Sequence, residues 1–216
     1  NKAKFIFFSS VGIFGAIPEE LPAGQTTPMM GDSIYHQTKI EAEKLIGQLT
    51  VNGLKSVIIR PSITYGSGDY GFPFTLVKLI DKNLFFMPDR QVTIHLTNVS
   101  IIAQCIIQLL KGEVTPGKKF ILADQQPVQL ARLAEFIKHE LRGKKSGTIM
   151  KLPGKLFDAA IWLSDLFNNE AWRIRFQLIS RSWYYDINSI YQELNLPQSE
   201  TIPAFRSVIN WYREIK

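Results

Sequence analysis

Tyr35 and Lys39 stand four positions apart in Tyr35-His36-Gln37-Thr38-Lys39, inside a stretch from Ile34 to Leu49 whose apolar residues recur at helical spacing. On a helix the two side chains leave one face about a turn apart. A phenol titrating near about 10 is a poor base at neutral pH, and a lysine cation beside it favours the phenolate. Such a pair could pass a proton to or from a hydroxyl or carbonyl oxygen. Ser9 and Ser10 close a short apolar run, and Ser10 precedes Tyr35 by 25 residues. A hydroxyl at the C-terminal end of a buried strand stands where open α/β sheets bind ligands, and it could hydrogen-bond that same oxygen.

The elements that must position these groups are legible as patterns. Lys4 to Ser9 and Ser56 to Arg60 read as short buried parallel strands, with the Tyr35 helix between them and Ile40, Leu45 and Leu49 as its apolar positions. Asn98 to Leu110 reads as a further helix capped by Asn98 or Ser100, Pro116-Gly117 as a turn, and Lys119 to Leu122 as another strand. That alternation predicts an α/β architecture. After Asp124 the strands thin out, and Val128–Leu141, Gly154–Phe167, Asn188–Leu194 and Ala204–Ile215 all read as helices.

A third segment follows the second strand, Arg60-Pro61-Ser62-Ile63-Thr64-Tyr65-Gly66. Together the three segments resemble the extended short-chain dehydrogenases/reductases of the epimerase/dehydratase type. Their pattern runs Ser-Ser-x-x-x-Tyr-Gly, then Tyr-x-x-x-Lys, then Arg-Pro-x-x-x-Tyr-Gly. The resemblance implies the C-terminal part of a Rossmann-like parallel sheet with a smaller, helix-rich substrate lobe. The expected division gives residues 1–66 and 92–124 to the Rossmann-like portion, and 67–91 and 125–216 to the lobe. It further implies an NAD- or NADP-dependent enzyme acting on a hydroxyl or keto group, with Ser10, Tyr35 and Lys39 as the catalytic set. Tyr35 and Lys39 would also touch the nicotinamide ribose, and Pro61 and Ser62 would lie beside the cofactor, whose own chemistry is hydride transfer.

Two positions depart from the family pattern. Phe14 replaces a tyrosine that serves in packing, and Asn98 replaces an aspartate that caps the next helix, a task asparagine performs nearly as well. The family's glycine fingerprint belongs to a first strand roughly a hundred residues before the serine strand. Residues 1–216 are therefore expected to lack the adenosine and pyrophosphate site and to bind NAD(P) weakly by themselves. A non-catalytic scaffold or cofactor-sensing role is the alternative to an enzyme.

Composition narrows the classes. The 216 residues are 45% hydrophobic and 20% charged, which is globular material, and no apolar run reaches the length of a membrane helix. One cysteine, Cys105, allows no intrachain disulfide and no cysteine-built zinc site, which fits a cytoplasmic setting. The net charge of +6 invites nucleic acid, but Lys118-Lys119 and Arg142-Gly143-Lys144-Lys145 are short runs that read as solvated charge. No nucleic-acid partner, membrane span or metal is expected, and a homodimer is left open.

Other features read as bland. Gly66-Ser67-Gly68-Asp69-Tyr70-Gly71 fits the dinucleotide fingerprint literally, yet Pro61 to Tyr65 separates it from the strand, so it reads as a substrate-side loop. Tyr212 and Lys216 repeat the tyrosine–lysine spacing on an amphipathic helix with no serine strand before it. His36, His95 and His139 read as structural or solvated, with His36 turned away from the phenol, and Cys105 as a small core residue. For the substrate, the helix opening at Lys151-Leu152-Pro153-Gly154 and the segment Trp183-Tyr184-Tyr185 resemble the 3β-hydroxysteroid dehydrogenase and dihydroflavonol reductase branch, whose substrates are apolar. Nucleotide sugars stay open, with Arg90 or Arg132 as diphosphate contacts.

Overall fold

The computed structural model describes residues 3–113, 115–143 and 148–216, so Lys144 and Lys145 of the basic run lie outside the described residues. Strand β1 (Phe5–Phe8) leads through a single 3-10 turn, Val11–Phe14, and a loop to helix α1 (Ile34–Val51), which returns the chain to β2 (Ser56–Pro61). The short strand β3 (Thr64–Tyr65), helix α2 (Phe72–Asp81) and three short strands follow: β4 (Met87–Pro88), β5 (Thr93–Ile94) and β6 (Thr97–Asn98). Helix α3 (Val99–Lys111) then precedes β7 (Lys118–Leu122).

These strands form a three-stranded parallel sheet in the order β1-β2-β7, with Ile6 opposite Val57 and Ile59 opposite Phe120. Parallel neighbours need a crossover, and α1 and α3 belong to the two crossovers. The central strand is buried from Ser56 to Arg60, which is why Ser-Val-Ile-Ile-Arg shows no alternation. Each fully buried isoleucine or phenylalanine there contributes roughly 1.5–3 kcal/mol.

Helix α1 departs from its expected orientation. Leu45 and Leu49, expected as inward apolar positions, are exposed, while Glu43 and Ile46 are buried. The cause is Arg60, whose guanidinium grips the Glu43 carboxylate from two sides, Nε to Oε1 at 2.9 Å and Nη2 to Oε2 at 2.7 Å. Each side chain of the pair is 1% exposed, and Gln25 and Lys119 complete the cluster. Burial alone would raise the Glu43 carboxyl, but the two bonds from Arg60, with the Arg60 and Lys119 charges, hold it below its ordinary value.

The rest of the chain is helical with short strand pairs: β8 (Val128–Gln129), α4 (Leu130–Arg142), β9 (Lys151–Leu152), α5 (Gly154–Leu166), α6 (Glu170–Ser180), α7 (Asn188–Leu194), α8 (Thr201–Ala204) and α9 (Arg206–Ile215). Helix α6 does not follow from the periodicity of the sequence. Helices α2, α4 and α9 pack together, α5 packs on α6, and α7 packs on β7. Tyr212 and Lys216 do not form a second site: both donate to Asp81 at the end of α2, at 2.8 and 2.6 Å. No helix among the described residues is long and apolar enough to cross a membrane.

The joint between sheet and helices is a buried polar knot. Asp124, fully buried after β7, accepts from Tyr65 Oη, Thr201 Oγ1, Ser199 Oγ and the Asn98 backbone N–H. Four donors compensate a charge that would otherwise be costly to bury. Asn98 also caps α3, its side chain accepting from Ser100 N at 2.8 Å, as expected.

Candidate active site

Ser10 ends β1 and caps the 3-10 turn, its Oγ accepting from Gly12 N at 3.0 Å. The hydroxyl hydrogen remains free to donate. Ser33 caps α1 by accepting from His36 N, which sets Tyr35 in the first helical turn at the same end of the sheet. Ser10, Tyr35, Pro61 and Ser62 all line one cleft of about 400 Å³. It opens at the C-terminal ends of β1 and β2, the expected place for a ligand in an open α/β sheet.

Lys39 lies behind this wall. Its ammonium donates to the Phe8 carbonyl at 2.8 Å and sits 5.7 Å from the centre of the Tyr35 ring and 5.0 Å from that of Phe7. Two of its three donors remain uncommitted among the described residues. Ser62 is different, because its buried hydroxyl donates to the His95 carbonyl, while its N–H meets the Leu122 carbonyl and the Thr97 hydroxyl. What Ser62 offers the cleft is shape more than a free hydroxyl.

His36 corrects the sequence expectation. Its ring faces the cleft and meets the Tyr35 ring edge-on at 5.7 Å, with Nδ1 bonded to Asp32 Oδ1 at 2.5 Å. Gly12 must lack a side chain here, since a Cβ would overlap the imidazole. Burial would raise the Asp32 carboxyl, yet the His36 bond, the Ala16 N–H and the His36 and Arg173 charges hold it below the ordinary range. The signal in the sequence is Asp32 four residues before His36, a spacing that makes neighbours only once a helix start is placed between them.

The lobe supplies the opposite wall with Phe72, Ile174, Leu178, Trp183 and Tyr185. Trp183 donates its indole N–H to the Leu178 carbonyl at 3.1 Å, so it shows the cleft only an apolar face. Asp69, Gly71 and Phe72 bring the literal glycine motif to the rim. The local order is closer to a phosphate loop than expected, since β3 runs into Gly66 and α2 opens after Gly71. That strand belongs to a separate two-stranded sheet, and the Asp69 carboxylate accepts from Gly71 N at 3.0 Å where a phosphate would sit.

The other candidate residues have structural partners or lie away from the cleft. Phe14 is 1% exposed and packs against the Arg60 guanidinium and the Tyr185 ring. Cys105 is fully buried, and burial pushes its thiol up to about 12. Arg90 lies outside the cleft, held by Asp158 and by the Ser180 carbonyl, and Arg132 is exposed on α4. Among the described residues no group of acidic, histidine and cysteine side chains could hold a metal.

Comparison with known proteins bears on the same region. Residues 19–106 match the NAD-binding family model described as male sterility protein. A 101-residue stretch is 33% identical to the 4-hydroxy-2-methyl-3-oxo-4-farnesyl-3,4-dihydroquinoline-1-oxide ketoreductase of Stigmatella aurantiaca, covering 44% of this chain and 29% of that one. The chain is thus similar to NAD-binding proteins across residues 19–106, a stretch that takes in Tyr35, Lys39, Pro61 and Ser62. Its fold is shared with UDP-glucuronic acid 4-epimerase from Bacillus cereus in complex with NAD (TM-score 0.73, 15% identity) and with RMD from Pseudomonas aeruginosa complexed with NADPH (TM-score 0.70, 15% identity). Those likenesses cover 98% and 97% of this chain, which spans 62% and 66% of the two solved proteins.

Proposed function

We propose that this chain carries the catalytic part of an NAD(P)-dependent enzyme that acts on a hydroxyl or keto group of a small molecule. One observation carries the reading: Ser10 and Tyr35 line the same cleft, while the Lys39 ammonium is fixed between the Phe8 carbonyl and the Tyr35 ring. Residues 1–66 and 92–124 form its cofactor portion, and 67–91 and 125–216 its substrate lobe. A cytoplasmic setting accords with the lone, buried Cys105.

The donors left free fit the nicotinamide-ribose end of NAD or NADP: the Tyr35 hydroxyl, the Ser10 hydroxyl and two hydrogens on Lys39. Pro61 and Ser62 would shape the wall beside it. The dinucleotide, when bound, supplies or accepts hydride. Ser10 donates to the substrate oxygen and holds it at Tyr35. Tyr35 passes its proton to that oxygen in reduction and takes one from it in oxidation, and the Lys39 cation stabilises the negative charge left on the phenol. The named relatives, a ketoreductase and an NAD-bound epimerase, support this class of chemistry.

The test is nicotinamide-linked turnover in the full-length protein, followed by absorbance, with Tyr35→Phe and Ser10→Ala. Tyr35→Phe is expected to lower kcat by about 10²–10⁴-fold, a larger effect than the loss of one ribose contact has on cofactor binding, and Ser10→Ala by about 10²-fold. Wild-type turnover in Tyr35→Phe would leave the scaffold or sensing role as the better account.

A further inference from the structure

We infer that the cleft takes an uncharged, largely apolar ketone or alcohol and excludes nucleoside-diphosphate sugars, an inference that rests on the proposed reaction for what happens to the substrate. A diphosphate is recognised by paired cations or by free backbone N–H groups at a helix start. Paired cations are absent from the described lining of this cleft, and the one helix start in that lining with no side-chain cap, that of α2, carries Pro73 in its first turn and the Asp69 carboxylate beside it. No lysine or arginine lines it, and its charged lining side chain is the carboxylate of Asp69. The His36 imidazole, which also faces the cleft, is tied to the Asp32 carboxylate, which matches any positive charge it carries.

Of the cations around the cleft, Lys39 stands behind Tyr35 with its free donors assigned to the cofactor ribose in the proposed reaction, and the arginines are engaged elsewhere. Arg60 is locked to Glu43 beneath it, Arg173 holds the Asp32 carbonyl and lies 3.5 Å from Asp165, and Arg90 is committed to Asp158 and Ser180. The start of α2 reaches the rim, but Asp69 already accepts from Gly71 N, so that end shows a diphosphate a negative charge. Placing a dianion there would leave its charge unpaired, which costs far more than apolar contacts return.

The lobe-side wall is built for the opposite kind of ligand. Phe72, Ile174 and Leu178 are half-buried with the cleft beside them, so a ligand would cover surface that the protein leaves open. Trp183 has no free N–H, and burial pushes the Tyr185 phenol far above its ordinary value, which keeps it neutral. The polar groups converge on the other side, at Ser10 and Tyr35. One oxygen at the sheet wall and a hydrocarbon body against α6 satisfy both, within a volume of about 400 Å³ that suits a small-molecule ligand.

The experiment is calorimetric titration and turnover of the full-length protein with its cofactor, using two uncharged ketones, a decalone and geranylacetone, against UDP-glucose and UDP-glucuronate. Leu178→Ala and the gentler Ile174→Val are compared with wild type, with thermal melts confirming that each variant is folded. Ketone binding is expected, weakened about tenfold by Leu178→Ala, with no heat and no competition from either UDP-sugar. UDP-sugar binding tighter than ketone binding overturns the inference, as does ketone binding indifferent to both variants or no ketone binding at all. Ketone binding that depends on Leu178 without turnover would sink the Tyr35 chemistry and keep the substrate class. Turnover of a UDP-sugar abolished by Tyr35→Phe would do the reverse.

Discussion

The two walls of the cleft are made in different ways. The sheet-side wall is assembled from strand ends and one helix start, with Ser10, Tyr35 and His36 held by neighbours close in sequence: Gly12, Ser33 and Asp32. The lobe-side wall brings Phe72 of α2, Ile174 and Leu178 of α6 and Trp183 together across more than a hundred residues of chain. Local geometry fixes the polar chemistry, and long-range packing fixes the apolar surface facing it. Under the proposed function, the polar groups that would act on the substrate oxygen ride on the sheet and the apolar surface that would meet the substrate body rides on the helices.

The largest way to break that contrast is to unfasten the sheet wall from below. Arg60→Met leaves the Glu43 carboxylate buried without its partner, and losing one member of such a pair costs about 3–5 kcal/mol. For a chain of this size that corresponds to a drop in Tm of about 6–20 °C. The double change Glu43→Gln with Arg60→Met should regain most of the loss, because the uncompensated charge is gone. Thermal melts of the single and double variants read this directly. A single variant that melts with wild type would mean that α1 is held by packing alone.

Gly12→Ala sharpens the contrast with a smaller effect. The added Cβ would overlap the His36 ring, which Asp32 holds, so ring or turn must move at a cost of about 1–3 kcal/mol. Because the displaced groups belong to the sheet wall, kcat should fall while the affinity for an apolar ketone changes little. A rise in KM with kcat intact would show that the two walls are not separable in this way.

The same division explains which features are legible in the sequence. The strands β1, β2 and β7, the helices α1 and α3, the Asn98 cap and the Ser10–Tyr35–Lys39 set follow patterns of period, cap and spacing that lie within a few turns of chain. Glu43 is not legible, because a charged residue on an amphipathic helix looks solvent-facing until Arg60, on the next strand, turns it inward. Asp124 is hidden for the same reason, since its four donors come from three separate segments. Helix α6 escapes because Glu170–Ser180 mixes charged and aromatic residues without a clean apolar stripe, and its contribution to the cleft arises from packing on α5. The orientation of His36 is equally hidden, because the Asp32 contact needs the helix start that Ser33 provides.

The smallest predicted effect concerns the seam between the walls. His95 is buried, with Nε2 2.5 Å from the Asp124 carbonyl, to which it donates, and Nδ1 accepting from Tyr185 N at 3.3 Å, a pattern only the neutral ring can satisfy. Burial lowers its pKa below the ordinary 6.5, outweighing the opposing pull of Asp124. A base whose folded value is lowered takes up its proton more readily when unfolded, so its contribution is complete above about 6.5 and declines as the pH falls below it. Glu43, a carboxyl held below 4.5 in the fold, weakens the sheet wall only at still lower pH. Melting curves from pH 7.5 to 5.0 at constant ionic strength should therefore show a decline of at most about 1.4 kcal/mol per pH unit from His95. His95→Gln should flatten it. Superimposable profiles for variant and wild type would place the acid-sensitive joint elsewhere, and would mean that the lobe wall is anchored through Asp124 rather than through the imidazole that stacks on Tyr185.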